Sequence, residues 1–157
     1  MDWRQLLRDV TTVLVIDWPS RDVPETLARA GFEVVVRSGA GPGDYSFYEL
    51  DSAGAVTRRK GCAPENADLV YAHRPATELP AIIATAEAIH AKAIWTQSGF
   101  SSLGSRDASG CWIPDEEYQR FVELVRWAGI SYFSQPYIAD AVRQVYALKI
   151  ERVGWPL

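Results

Sequence analysis

A chain of 157 residues, of which 48% are hydrophobic and 23% are charged, has the length and composition of one globular domain with its own core. Its formal net charge of −4 argues against nucleic acid and anionic membranes as partners, because both attract basic surfaces. The two cysteines lack the spacing of a disulfide framework or zinc site, and the charged N-terminal residues lack a signal peptide's apolar segment. We therefore expect a cytoplasmic protein without a membrane span or a metal site.

The first half of the chain alternates helical patterns with buried apolar runs. Residues 3–10 repeat apolar side chains at helical spacing, and 11–17 (TTVLVID) are typical of a strand buried on both faces. A helix is predicted from Asp22, which would cap its free N–H groups, to Gly31, which suits a left-handed C-terminal cap. Residues 33–37 (EVVVR) supply a second strand and complete a βαβ unit.

The second half follows a glycine-rich segment that interrupts regular secondary structure, and it continues the alternation of strands and helices. A small hairpin is predicted from the β-capable segments 45–50 and 55–60. Further strands are predicted at 67–73, 91–96 and 130–133, and helical stripes at 79–89, 118–125 and 138–145. This order predicts a doubly wound, mostly parallel, Rossmann-like α/β sheet of five strands, with the hairpin as an insertion. We expect a single domain over residues 1–157, with its core at about 11–145.

Arginines follow several of the predicted strands. Ligands of open parallel sheets bind outside the carboxyl ends of the strands, where the strand order reverses. The loops there contain Arg21, Arg37 and Arg74, each beside a Pro, Gly or Ser. Guanidinium groups match phosphate oxygens, and small residues let backbone N–H groups approach a phosphate. The alternative is that these arginines only form ion pairs with nearby aspartates, namely Asp17, Asp22 and Asp44.

The glycine pattern argues against a nicotinamide dinucleotide. The GxGxxG fingerprint is absent after the first strand, and the glycine-rich stretch 39–43 follows the second strand instead. Arg37 stands at the end of that strand, where a carboxylate would hold the ribose hydroxyls of NAD. NAD is therefore disfavoured.

Two segments in the middle of the chain carry a family resemblance. Residues 77–83 (TELPAII) and 91–99 (AKAIWTQSG) resemble the CoA-binding domain family, in which such a helix precedes a GAKAVWxQxG strand. The resemblance covers about residues 11–145, and the stretch from Trp95 to Gly99 is its most specific part. The family is similar in fold to the nucleotide-binding domain of the succinyl-CoA synthetase α subunit. The resemblance thus implies a Rossmann-like fold and coenzyme A as the ligand.

The resemblance also implies which residues contact the coenzyme. The turn after the first strand and the start of its helix would contact the diphosphate, and the loop after the second strand would hold the adenosine end. The ends of the next two core strands would line the rest of the coenzyme. Carried onto this chain, with Trp18 as a base-stacking candidate, these residues are Trp18, Pro19, Ser20, Arg21, Val23, Arg37, Ser38, Gly39, Pro42, Arg74, Pro75, Gln97, Ser98 and Gly99.

One departure from the family bears on binding. The family's longer loop after the first strand is shortened here to residues 17–20 (DWPS), and it lacks glycine. Asp17 and Asp22 place negative charge near the expected diphosphate, which would oppose binding unless Arg21 offsets it.

No catalytic constellation emerges from the sequence. His73, near the end of a predicted strand, is more typical of a partly buried, hydrogen-bonded histidine than of a catalytic base. Cys111 precedes a helix but has acidic neighbours, which disfavour a reactive thiolate. Trp95 and Trp127 are expected to pack in the core. We assign no catalytic residue.

Three functions remain open at this point. The first is a cytosolic, non-enzymatic coenzyme A-binding protein. The second is a Rossmann scaffold without a ligand that acts in protein–protein interaction, with the hairpin at 45–60 as the contact element and homo-oligomers as one outcome. The third is an enzyme that handles acyl-CoA through His73 or Cys111.

Overall fold

A computed structural model describes residues 2–17, 21–39, 41, 43–74, 78–96 and 115–153. The helices within these ranges are α1 (Trp3–Asp9), α2 (Asp22–Arg29), α3 (Leu79–Ala88), α4 (Asp115–Trp127) and α5 (Ile138–Val153). The strands are β1 (Thr12–Ile16), β2 (Glu33–Arg37), β3 (Tyr45–Leu50), β4 (Val56–Lys60), β5 (Leu69–Ala72), β6 (Ala93–Thr96) and β7 (Ser131–Phe133). None of these helices is long and apolar enough to cross a membrane.

All seven strands belong to one sheet, in the order β4-β3-β2-β1-β5-β6-β7. Strands β2, β1, β5, β6 and β7 run parallel, which confirms the predicted α/β fold with a mostly parallel sheet. The prediction of five strands was wrong, and the sheet is mixed. The hairpin β3–β4 pairs antiparallel with β2, from Val34 opposite Tyr48 to Arg37 opposite Tyr45, so it extends the sheet instead of standing apart as an insertion.

Each face of the sheet buries its own core. On one face, Val13 and Val15 of β1 pack with residues of α1, α2 and α5. On the other face, Leu14 and Ile16 of the same strand pack with residues of α3 and α4. Because helices cover both faces, consecutive residues of a central strand are all buried, which explains the unbroken apolar runs in the sequence.

Helix α2 ends as expected but begins differently. Gly31 follows the helix with a φ of 96°, the left-handed conformation that glycine adopts without strain. At the other end, the prediction that Asp22 caps the helix was wrong, because Arg21 holds the cap position and makes no side-chain cap bond. The Asp22 carboxylate instead accepts hydrogen bonds from the Tyr137 hydroxyl at 2.7 Å and from Arg143 at 2.8 Å. The start of α2 is thereby tied to α5.

The two tryptophans that were expected in the core have opposite environments. Trp95 in β6 is 1% exposed, as predicted. Trp127 is 90% exposed, so its predicted core position was wrong. Helix α4 directs Val125 into the core, and a residue two positions further along lies about 200° around the helix axis, on the solvent side.

Candidate functional site

The strand order reverses at β1, because the chain places β2 on one side of it and β5 on the other. The switch point of the fold therefore lies between the carboxyl ends of β1 and β5. A pocket of about 280 Å³ opens at this place. Its lining includes Asp17, Arg37, Gly39, Arg74, Glu78 and Ile82.

Arg74 is the most heavily bonded side chain of the pocket. Its Nη2 donates to one Glu78 oxygen at 2.7 Å, and its Nε donates to the other oxygen of the same carboxylate. Its Nη1 donates to Asp17, which follows β1. The hydrogen bonds from Arg74 lower the pKa of Glu78, and bonding to that carboxylate raises the pKa of Arg74. The Glu78 carboxylate and the Arg74 guanidinium are therefore both charged at neutral pH.

Arg37 presents the other positive charge of the pocket. It is the last residue of β2, and its backbone carbonyl accepts the Asp17 N–H at 2.8 Å, which holds the two strand ends together. Its positive charge contributes to the lowered pKa of Glu78, although its guanidinium forms no ion pair with any residue in the described ranges. Arg37 thus differs from Arg74 in having a guanidinium that no described carboxylate neutralises.

The turn after β2 packs closely against Asp44. The Asp44 carboxylate accepts the Gly41 N–H at 2.7 Å, and the Asp44 carbonyl accepts the Ser38 N–H at 3.0 Å. A Cβ atom added to Gly39 would lie 2.4 Å from Asp44 Oδ2, closer than nonbonded atoms approach. Glycine at this position therefore allows the turn to close, and it leaves the backbone of the turn facing the pocket.

Some of the residues predicted to contact the ligand meet at this pocket. Arg37, Gly39 and Arg74 line it together. Arg21 lies at the start of α2 with its side chain paired to Glu25 at 2.9 Å, and the Val23 side chain is fully buried in the core. The predicted residues outside the described ranges are Trp18, Pro19, Ser20, Pro42, Pro75, Gln97, Ser98 and Gly99.

Among the described residues, one of the expected ion pairs between these arginines and the nearby aspartates is present. Arg74 binds Asp17 as that alternative expected. Asp22 binds Arg143 of α5 instead, so the negative charge at the start of α2 is offset within the fold. Asp44 braces the glycine turn through backbone N–H groups and forms no ion pair with a described arginine.

Two residues were not predicted from the sequence: Glu78, which lines the pocket, and Tyr137, which bonds Asp22 at the start of α2. Glu78 lies four residues after Arg74, but both precede α3, so the spacing rule for side chains within a helix does not predict their ion pair. Tyr137 lies 115 residues from Asp22 in the sequence, and no local pattern indicates that contact. A long-range contact of this kind depends on how the helices dock on the sheet.

Neither of the two catalytic candidates from the sequence belongs to the described lining of the pocket. His73 is 1% exposed and does not belong to the described lining of the pocket. The Arg74 guanidinium and the Glu78 carboxylate are bonded to each other, so neither is available there as a proton-transfer group. Cys111, the other catalytic candidate, lies outside the described residues.

Comparison with known proteins gives a family and a fold. A family model described as "CoA binding domain" matches residues 16–136, a range that contains all the described lining of the pocket. No curated protein matches the chain. The solved structure of cell-free ID.343 from Thermus thermophilus is similar with a TM-score of 0.59 and 19% identity, over 92% of this chain and 99% of that one. At this identity the likeness shows the fold alone.

Proposed function

Because the chain belongs to the family of CoA binding domains, we propose that it is a non-enzymatic coenzyme A-binding protein of the cytosol. The observation that carries the proposal is the pocket at the switch point, where Arg37 and the glycine turn meet at the end of β2. Both features lie where open α/β sheets bind nucleotides.

The positive charge of Arg37 supports a binding mode in which the adenosine end of the coenzyme enters this pocket. Coenzyme A carries a 3′-phosphate on its ribose, and an arginine at the end of the second strand of a Rossmann sheet suits a ribose phosphate. Arg37 occupies that position, and no described carboxylate competes for its guanidinium. The backbone of the turn at Gly39 borders the same space.

The size of the pocket limits how much of the coenzyme it can hold. Pockets that bury a drug-sized ligand span about 300–1,000 Å³. With about 280 Å³, this pocket holds one end of coenzyme A and leaves the remainder outside it. We place the phosphorylated ribose beside Arg37 and the diphosphate towards Arg74 and the start of α2.

The non-enzymatic and cytosolic parts of the proposal have separate support. The described lining of the pocket contains neither histidine nor cysteine, the usual sources of a base or a nucleophile. Cys62 is an exposed free thiol, which is typical of a reducing compartment.

A titration with coenzyme A tests the proposal, with dephospho-CoA and NAD as controls and with melting temperature and tryptophan fluorescence as signals. A ligand at 100 times its dissociation constant should add about 2.7 kcal/mol of stability. We expect coenzyme A to bind more tightly than dephospho-CoA, and NAD to bind weakest. Absence of binding at millimolar coenzyme A, with self-association that depends on protein concentration, would favour the interaction scaffold. Turnover of an acyl-CoA would contradict the non-enzymatic part.

A further inference from the structure

Three charged side chains form a connected cluster at the pocket, which we call the clasp: Asp17, Arg74 and Glu78. Asp17 follows β1, Arg74 lies two residues beyond the end of β5, and Glu78 immediately precedes α3. The bonds from Arg74 to both carboxylates therefore join the two strands between which the switch point lies. The clasp lies across the place where a ligand of this fold enters.

The clasp has more negative than positive charge. Its single guanidinium uses Nε, Nη1 and Nη2 to bond two carboxylates. A phosphate that approaches Arg74 therefore meets a cation whose charge is already neutralised, together with one carboxylate charge in excess. Arg37, by contrast, offers the phosphate a guanidinium with no carboxylate partner among the described residues.

The backbone conformation at Asp17 is one that asparagine tolerates. Asp17 has a φ of 57°, in the left-handed region that asparagine and aspartate adopt more readily than other residues with side chains. Asparagine has nearly the same shape and the same backbone tolerance, so an Asp17→Asn variant removes the negative charge with little change in volume. Glu78→Gln makes the same change at the other carboxylate of the clasp.

We propose that Asp17 and Glu78 lower the affinity of the site for phosphate-bearing ligands, because they hold Arg74 across the switch point in competition with the ligand. The inference rests on the proposed function, since it concerns how the same pocket selects its ligand. The two carboxylates are specificity-determining residues: they weaken the preference of the site for phosphate-bearing over neutral ligands, and they leave Arg37 as the principal phosphate partner.

The test compares dissociation constants for coenzyme A, ADP and adenosine, measured by calorimetry on the wild type, Asp17→Asn and Glu78→Gln. Each variant is expected to bind coenzyme A and ADP about three- to tenfold more tightly, because one of the two negative charges that compete with the phosphate for Arg74 is removed. Adenosine carries no phosphate, so its affinity should change by less than about twofold. Asp9→Asn is the matched control, because Asp9 is exposed at the end of α1 and bonds Gln5, away from the pocket.

The outcomes separate this inference from the proposed function. If the wild type binds coenzyme A and neither folded variant binds phosphate ligands more tightly, the inference fails and the proposed function stands. Equal weakening for all three ligands would show that the clasp is only a structural support, which also overturns the inference. If no folded form binds coenzyme A, both fail. If the variants bind coenzyme A and the wild type does not, the inference stands and the proposed function fails. Glu78→Gln decides the matter if Asp17→Asn does not fold.

Discussion

Replacing Arg37 with glutamine is expected to weaken coenzyme A binding by about ten- to hundredfold, the loss typical of a hydrogen-bonded charge partner. Arg37 ends β2 beside the pocket and has no described carboxylate partner, so its guanidinium is available to a phosphate. The affinity for dephospho-CoA should change little, since that ligand lacks the 3′-phosphate. The wild-type preference for coenzyme A should therefore largely disappear, which parallel titrations with the two ligands would measure.

A matched control separates this local effect from a change in net charge. Arg29→Gln removes the same charge from the last turn of α2, at the end of the helix remote from the switch point. Its affinity for coenzyme A should remain within about twofold of the wild type. Equal losses in the two variants, or equal losses for both ligands in Arg37→Gln, would show that Arg37 does not contact the 3′-phosphate.

Trp95→Ala is expected to lower the free energy of unfolding by about 3–5 kcal/mol, the range observed when a large buried aromatic side chain is removed. Trp95 is 1% exposed, and its ring stacks on Phe133 with the centroids 5.5 Å apart. Its indole Nε1 also donates to the Pro136 carbonyl at 3.1 Å. The substitution therefore creates a cavity and removes the donor for that carbonyl, and urea unfolding would measure the loss.

Trp127→Ala is the control for this prediction. Trp127 is the same residue type but is 90% exposed on α4, so its removal should change the free energy of unfolding by less than about 0.5 kcal/mol. A large loss in Trp127→Ala, or a loss below about 1 kcal/mol in Trp95→Ala, would contradict the burial that the fold assigns to the two residues.

The parallel strands of the sheet were predictable because a strand that is covered by helices on both faces has an uninterrupted apolar sequence. The runs at β1 and β2 are continuously apolar, and Gly31 has the left-handed backbone that the sequence indicated. The hairpin segments were recognised, but their place in the sheet was not. The pairing of β3 with β2 requires that the backbone edge of β2 is free of another strand. The side-chain pattern of the hairpin does not indicate whether that edge is free.

The position of the candidate site was predictable from the sequence, but only part of its bonding was. The rule for open sheets brought Arg37, Gly39 and Arg74 to one pocket. Asp17 was one of the partners considered for the arginines, and Arg74 binds it, whereas the partners of Asp22 are Tyr137 and Arg143, more than 100 residues away. Such pairs depend on the docking of whole elements, which periodicity along the chain does not encode.

The fold contains another groove in which a ligand could bind. Its volume is about 570 Å³, and its lining includes Phe32, Leu50 and Glu65. Thr12 and Glu33, which begin β1 and β2, also line it, so it lies at the amino edge of the parallel strands. Size alone would favour this groove, whereas the switch-point rule and the charge of Arg37 favour the smaller pocket.

The most direct test of the account is to map the backbone amide chemical shifts of the protein during a titration with coenzyme A. Binding of coenzyme A at the switch point predicts that the largest changes in chemical shift occur at Asp17, Gly39 and Arg74, around the pocket between β1 and β5. Largest changes at Phe32 and Leu50, with the switch-point residues unaffected, would place the ligand at the amino edge and contradict the account.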